Sequence, residues 1–239
     1  MFNHWLSRSG SYDLVATTSE YTSNMGCDPK FVHDSIADIP EDQLVARLLS
    51  DPTWPSDFFE LVGMPRGMSK RQSVLLHTAP GNYRGDIDVL LCDPDRAEHA
   101  VAYQIKRVKF GIDQIRAGKP NKLSEFRKLV QQANLLVEMG FWQVYAYVVI
   151  VVDTREQNSG RLTYQGLSPK LRSLVDQEIS LELLHPRIGL GILDFTQPMD
   201  CKPFAVGTQG LHLRRLASSA PQNPALTQWI TTLFERLAT

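Results

Sequence analysis

The sequence predicts an α/β protein with a mixed central β-sheet flanked by helices, and three observations carry that expectation. WQVYAYVVIVV, ending at Val152, is an almost unbroken apolar run rich in β-branched residues, the pattern of a strand buried on both faces. Before it, Phe126, Leu129, Val130, Ala133, Leu136 and Val137 fall on one helical stripe. Earlier still, three short β-rich runs are separated by turn residues, as in an antiparallel meander.

In chain order, residues 1 to about 35 are rich in Ser, Thr, Tyr and Asn without clear periodicity and read as an arm or cap. A helix is expected from about Glu41 to Leu49, where Leu44, Val45, Leu48 and Leu49 recur at helical spacing. Asp51-Pro52 and Trp54-Pro55 punctuate it, and a short helix through Phe58, Phe59 and Leu61 is expected to follow. The three strands are placed at Ser73–Thr78, Asp86–Cys92 and Ala100–Arg107. The next helix runs from an N-cap at Asn121 to a C′ glycine at Gly140. Ser168-Pro169 reads as an N-cap and N1 pair opening a helix to about Glu178. Ile188–Phe195 suggests another strand, and Leu226, Trp229, Ile230, Leu233, Phe234 and Leu237 form the wide apolar stripe of a final helix. The expected organisation is an arm over 1–35, a core over 36–153, and an extension over 154–239 that packs on the core or forms a partner surface.

Composition narrows the function classes. With 239 residues, 43% hydrophobic and 21% charged, the chain has ample material for a core and is neither disordered nor fibrous. No apolar run reaches the roughly 18 residues of a membrane span, and the N-terminus lacks the pattern of a signal peptide. Cys27, Cys92 and Cys201 are odd in number and far apart, which suits a reducing cytoplasm. The six scattered histidines form no HExxH pair, so a zinc site is not expected.

The chemistry concentrates in GDIDVLLCDPDRAEHAVAYQIKRVK. Side chains alternate along a strand, so Asp86 and Asp88 share one face while Ile87, Val89 and Leu91 share the other. On the next strand Gln104 and Lys106 face one way, and Val101, Tyr103 and Ile105 the other. The tight Asp93-Pro94 connection makes the strands antiparallel neighbours, so two carboxylates, an amide and a lysine meet on one surface. Burying such groups without a purpose is costly. Hard oxygen donors of this kind suit Mg²⁺ or Mn²⁺, held by one or two carboxylates plus waters and phosphate. Asp88 supplies the main ligand, with Gln104 Oε1, the Ile105 carbonyl and Asp86 as further donors. Lys106 is placed to orient or deprotonate an attacking water and to stabilise phosphorane charge.

Asp88, fifteen intervening residues, then Gln104-Ile105-Lys106 resembles the PD-(D/E)XK nuclease superfamily, the restriction endonuclease-like fold. The helix-strand-strand-strand-helix-strand order over roughly residues 40 to 153 agrees. The chain departs from the usual pattern in carrying Gln104 where the family has an acidic residue, a variant similar to that of methylation-dependent restriction enzymes. The resemblance implies a metal-dependent deoxyribonuclease with Asp88, Gln104 and Lys106 in catalysis. It also implies a role in prokaryotic defence against foreign DNA or in DNA processing. It further implies a glutamate from the first helix, for which Glu60 and Glu41 are candidates, and Gln131-Gln132-Ala133 is similar to the family's later helix motif. A nuclease of this size is expected to act as a homodimer or as a subunit of a larger complex. The rival readings are an inactive nuclease-like binding or scaffold subunit, which Gln104 favours, and an α/β enzyme acting on small phosphate esters.

Charge supports a nucleic-acid partner. The segment from Lys106 to Lys128 carries a net +6 against −7 for the rest of the chain. Arg107, Lys109, Arg116, Lys119, Lys122, Arg127 and Lys128 are the expected phosphate contacts. A solvated loop and helix face is the bland reading of the same residues. Three other features carry less. Gly63 to Lys70 lacks P-loop spacing, His77 reads as a structural histidine, and Trp54 and Trp142 read as packing residues rather than base platforms.

Overall fold

A computed structural model of the chain describes residues 12–14, 40–50, 68–93, 95–111, 124–153, 162–164, 166–178, 181–198 and 208–235. The strands are β1 (Tyr12–Leu14), β2 (Ser69–Leu75), β3 (Asp86–Cys92), β4 (Val101–Gly111), β5 (Gln143–Asp153), β6 (Leu162–Tyr164), β7 (Gly189–Pro198) and β8 (Thr208–Arg215). The helices are α1 (Glu41–Ser50), α2 (Ser124–Met139), α3 (Pro169–Glu178) and α4 (Pro224–Glu235). All eight strands belong to one sheet. β2, β3 and β4 form the antiparallel meander, β4 and β5 run parallel, and β5 pairs in parallel with β7. The sheet is therefore mixed, as the sequence predicts. It continues past residue 153: β7 and β8 extend it, and the three-residue β6 bonds to both β5 and β7 at their C-terminal ends.

β5 is the core strand. Every residue from Val144 to Val152 is buried, because parallel neighbours on both edges leave each face to be covered by other layers. Even-numbered β5 residues join Ala102, Val108 and Phe110 of β4 in a cluster with α2, α3 and α4. Odd-numbered ones join Tyr103, Ile105 and the α1 residues Leu44 and Val45 on the opposite face. There Tyr103, Tyr145 and Tyr147 stack, with centroids 5.2 to 6.0 Å apart. Gly189 and Gly191 leave the space: a Cβ at either would collide with the ring of Tyr145 or Tyr147.

Helix ends follow the sequence signals. Ser168 Oγ accepts the Leu171 N–H at 3.3 Å, capping α3, whose first residue is Pro169. Gly140 adopts φ +90 just after α2. Its N–H donates to Val137 O and the Phe141 N–H to Leu136 O, which is the paired bonding of a Schellman motif. Asn223 Oδ1 accepts the Ala225 N–H at the start of α4. The stripe on α4, read as a possible partner surface, is directed inward: Leu226 and Ile230 are buried in the core, with Trp229, Leu233 and Phe234 packed against it. Arg71 of β2 ties down the end of α4 by donating to Leu233 O and lying over the Phe234 ring.

Two expectations need adjustment. The first meander strand begins at Ser69, and Leu76–Thr78 is a single 3-10 turn. β2 lies at the edge of the sheet, so its polar Lys70, Arg71 and Gln72 do not disqualify it as strand. The expected cap at Asn121 and the short helix through Phe58 lie outside the described residues.

Candidate active site

The paired register of β3 and β4 ends at Val89–Tyr103, and the candidate site lies just beyond it. On the β4 side, two alternate backbone N–H groups are taken by carboxylates. Ile105 N donates to Asp88 Oδ2 at 2.6 Å, and Arg107 N donates to Glu41 Oε2 at 2.6 Å. The strand edge is satisfied by side chains where a neighbouring strand would otherwise supply carbonyls. The same carboxylates hold the Gln104 and Lys106 side chains. Gln104 Nε2 donates to Asp88 Oδ2 at 2.7 Å, and Lys106 Nζ pairs with Glu41 Oε1 at 2.7 Å.

Each position follows from local structure. On β3, Ile87 and Val89 are both fully buried, but Ile87 packs in the cluster with α2 while Val89 and Leu91 pack on the opposite face. The regular alternation expected from the sequence therefore breaks at Asp88, where the pairing with β4 ends. Gln104 and Lys106 share a β4 face with Ala102 and Val108 by strand alternation. Glu41 opens α1, whose Leu44 and Val45 anchor it in the core, and so its carboxylate is delivered from a packed helix. Gln104 is almost wholly buried, at 2% exposure. Lys106 and Glu41 keep 21% and 27% of their side-chain surface, so the site opens to solvent on the lysine side.

Burial pushes the Asp88 carboxyl up to about 7, with the charges of Asp86 and Glu41 adding to it and the Ile105 N–H and Lys106 opposing it. For Lys106, burial pulls the ammonium down. The hydrogen bond and charge of Glu41, with the charges of Asp88 and Glu125, outweigh that and leave it above its ordinary value. Lys106 is therefore an ammonium at neutral pH, able to stabilise developing negative charge rather than to accept a proton.

The donor set suits a hard divalent cation. Both hydrogen bonds to Asp88 fall on Oδ2. Gln104 Oε1 is buried and has no hydrogen-bond partner among the described residues, while its Nε2 faces Asp88. A strand residue presents its C=O on the same edge as its N–H, so the Ile105 carbonyl also lies on the Asp88 side. Asp86 stands close enough to act on the charge of Asp88. Among the described residues no three His, Cys, Asp or Glu side chains converge as a metal cage. Mg²⁺ does not require one, since it keeps several waters and takes one or two carboxylates.

The other sequence candidates divide. Of the two glutamates, Glu41 is in the site; Glu60 lies outside the described residues, as do Arg116, Lys119 and Lys122. The described basic residues do not share one surface. Arg107 and Lys109 alternate with Lys106 and face the other side of the sheet, where Lys109 Nζ pairs with Asp153 Oδ2 at 3.2 Å. On α2, Lys128 pairs with Glu125 at 3.0 Å, while Arg127 is exposed. His77 is exposed on its 3-10 turn. Trp142 is half-buried against the core, and the His99 ring lies against it at a tilt, with centroids 4.8 Å apart. Cys92 is buried, and burial raises its thiol to about 11, which leaves it unreactive.

Fold and site together define a mixed-sheet α/β protein with an aspartate, a buried glutamine and a glutamate-paired lysine at the end of a strand pairing. The chain matches no protein-family model and no curated protein. Among the described residues no helix is long and apolar enough to cross a membrane.

Proposed function

We propose that this protein is a metal-dependent nuclease of the restriction endonuclease-like class that hydrolyses DNA phosphodiester bonds, working inside the cell in defence against foreign DNA or in DNA processing. The observation that carries the reading is the convergence of Asp88, Gln104 and Lys106 from two strands with Glu41 from a third element. Motif spacing alone would not require that fourth group to arrive.

Asp88, Gln104 Oε1 and the Ile105 carbonyl would hold Mg²⁺ or Mn²⁺, with Asp86 as an accessory donor. When bound, such an ion supplies positive charge to the scissile phosphate and a lower pKa to its water. The chain's own groups then have separate tasks. The Ile105 N–H fixes Asp88 through Oδ2. The Lys106 ammonium faces the charge that develops on the non-bridging phosphate oxygens, a form of electrostatic stabilisation that carries much of phosphoryl-transfer catalysis. Glu41 holds that ammonium in place and keeps it protonated. Arg127 and the basic residues before α2 would contact phosphates away from the cleaved bond.

A second reading, a binding or scaffold subunit without activity, draws on one observation. The carboxylates of Asp88 and Glu41 already serve the structure by satisfying the β4 edge. The two readings separate in a gel assay on supercoiled plasmid and single-stranded DNA with Mg²⁺, Mn²⁺ or EDTA, comparing the protein with Lys106→Ala. The nuclease reading expects metal-dependent nicking that falls at least about 100-fold in the variant. No nicking together with no Mn²⁺ binding would leave the scaffold, and nicking that persists in EDTA or in Lys106→Ala would overturn the assigned site.

A further inference from the structure

We propose that Gln104 is a reversible ligand: its amide nitrogen holds Asp88 in the metal-free protein, and cation binding turns the amide so that Oε1 faces the ion. The proposal rests on the nuclease reading above and adds how that site exchanges an internal hydrogen bond for a cation.

The geometry has an asymmetry that needs a cause. Gln104 is 98% removed from solvent if its 2% exposure is taken as the remainder. Its Nε2 is well used, at 2.7 Å from Asp88 Oδ2, whereas its Oε1 is buried without a partner. A buried acceptor left unpaired is costly. A turn of about 180° at the end of the side chain, where the torsion is broad and nearly two-fold, would exchange the two atoms at little intrinsic cost. Without a cation that turn sets Oε1 against Oδ2, two acceptors face to face, so the nitrogen-inward state wins. With a cation beside Asp88 the preference reverses, because both oxygens gain a positive partner. Asp88 does not have to move, since the Ile105 N–H keeps hold of Oδ2 throughout.

This gives the amide a role that a carboxylate could not fill. An ionised glutamate at 104 has no proton to donate, so the metal-free site would hold two facing carboxylates that repel each other or must take up a proton between them. It would bind cations more tightly, because affinity rises with ligand charge, and it would be less stable without one. Glutamine thus sets a lower cation affinity and a settled metal-free state.

The test uses the full chain and Gln104→Glu. Mn²⁺ binding is followed by calorimetry, and the Gln104 side-chain amide resonances, assigned by their loss in the variant, are followed during titration with diamagnetic Mg²⁺. We expect Gln104→Glu to bind Mn²⁺ about tenfold or more tightly, to melt at lower temperature in EDTA, and to regain stability with Mn²⁺. We also expect the Gln104 amide resonances to shift as Mg²⁺ saturates. Cation binding with unmoved amide resonances, or equal Mn²⁺ affinity in the two proteins, overturns the exchange and leaves the metal site standing. Absence of cation binding in both proteins overturns the metal site itself, and the exchange with it.

Discussion

Glu41 and Lys106, 65 positions apart, form an ion pair at 2.7 Å, and the other oxygen of the same carboxylate accepts the Arg107 N–H at 2.6 Å. One side chain from α1 thus fixes both the β4 backbone and the lysine on it. The pair is partly exposed, so its Coulombic worth is screened; the bond to the backbone is the steadier contribution.

Glu41→Ala should therefore cost about 1 to 2 kcal/mol, while Glu41→Gln, which keeps an acceptor for Arg107, should cost less. Glu41→Gln should differ at high pH. A lysine whose folded pKa is raised contributes stability that is complete below its ordinary 10.5 and is lost as pH rises through the folded value. The protein should lose stability on that alkaline side more steeply than Glu41→Gln. Melting curves from neutral pH to about pH 11 measure it, and parallel curves would refute the pairing as a source of Lys106's raised pKa.

Arg127 and Lys128 are adjacent on α2, yet among the described residues only Lys128 forms an ion pair, with Glu125. If this helix faces DNA, Arg127→Ala should weaken duplex binding about equally across sequences and lower the salt slope by about 1. Lys128→Ala should do less, because Glu125 already offsets its charge. Binding measured in EDTA over a range of salt concentrations decides the matter; an unchanged slope in Arg127→Ala takes α2 out of the interface.

Strong local signals made much of the fold legible. β5 announces itself by an apolar run with no polar face, and α2 and α3 by stripes bounded by Gly140 and Ser168-Pro169. β8 did not stand out, because TQGLHLRR mixes a glycine and basic residues into its alternation and gains its strand state from pairing with β7. The edge position of β2 hid Lys70 and Arg71 in the same way. In the candidate site, strand alternation and motif spacing singled out Asp88, Gln104 and Lys106, which hydrogen bonds link to one another or to Glu41, although the alternation expected for Ile87, Val89 and Leu91 is broken. The choice between Glu41 and Glu60 was not, since nothing local to either residue specifies a partner so distant in the chain.

Gly191 is a packing requirement rather than a flexible joint. A Cβ there would strike the Tyr147 ring and no other group as closely. Gly191→Ala should cost roughly 1 to 3 kcal/mol, the usual range for overpacking. In a Tyr147→Ala background, which is itself destabilised, the added methyl should cost little. A double-mutant cycle by urea denaturation reads the coupling, and additive effects would mean that the strand adapts by moving away.

Asp88 should make the metal-free protein sensitive to pH in a sense opposite to that of an ordinary paired aspartate. Burial raises its carboxyl from 3.8 to about 7, so the folded state binds the proton more tightly than the unfolded chain does. That contribution is complete below 3.8 and disappears as pH rises through about 7. In EDTA the protein should lose several degrees of melting temperature across that window relative to Asp88→Asn, whose amide does not titrate. A cation competes with the same proton, so Mn²⁺ affinity should climb by up to about tenfold per pH unit below the folded pKa and level off above it. Cleavage should follow the same rise. Melting temperatures of the two proteins that keep a constant difference from about pH 4 to 8 would remove Asp88 as the titrating group. A rise in Mn²⁺ affinity confined to the acid side of about pH 5 would place the carboxyl in water rather than in the site.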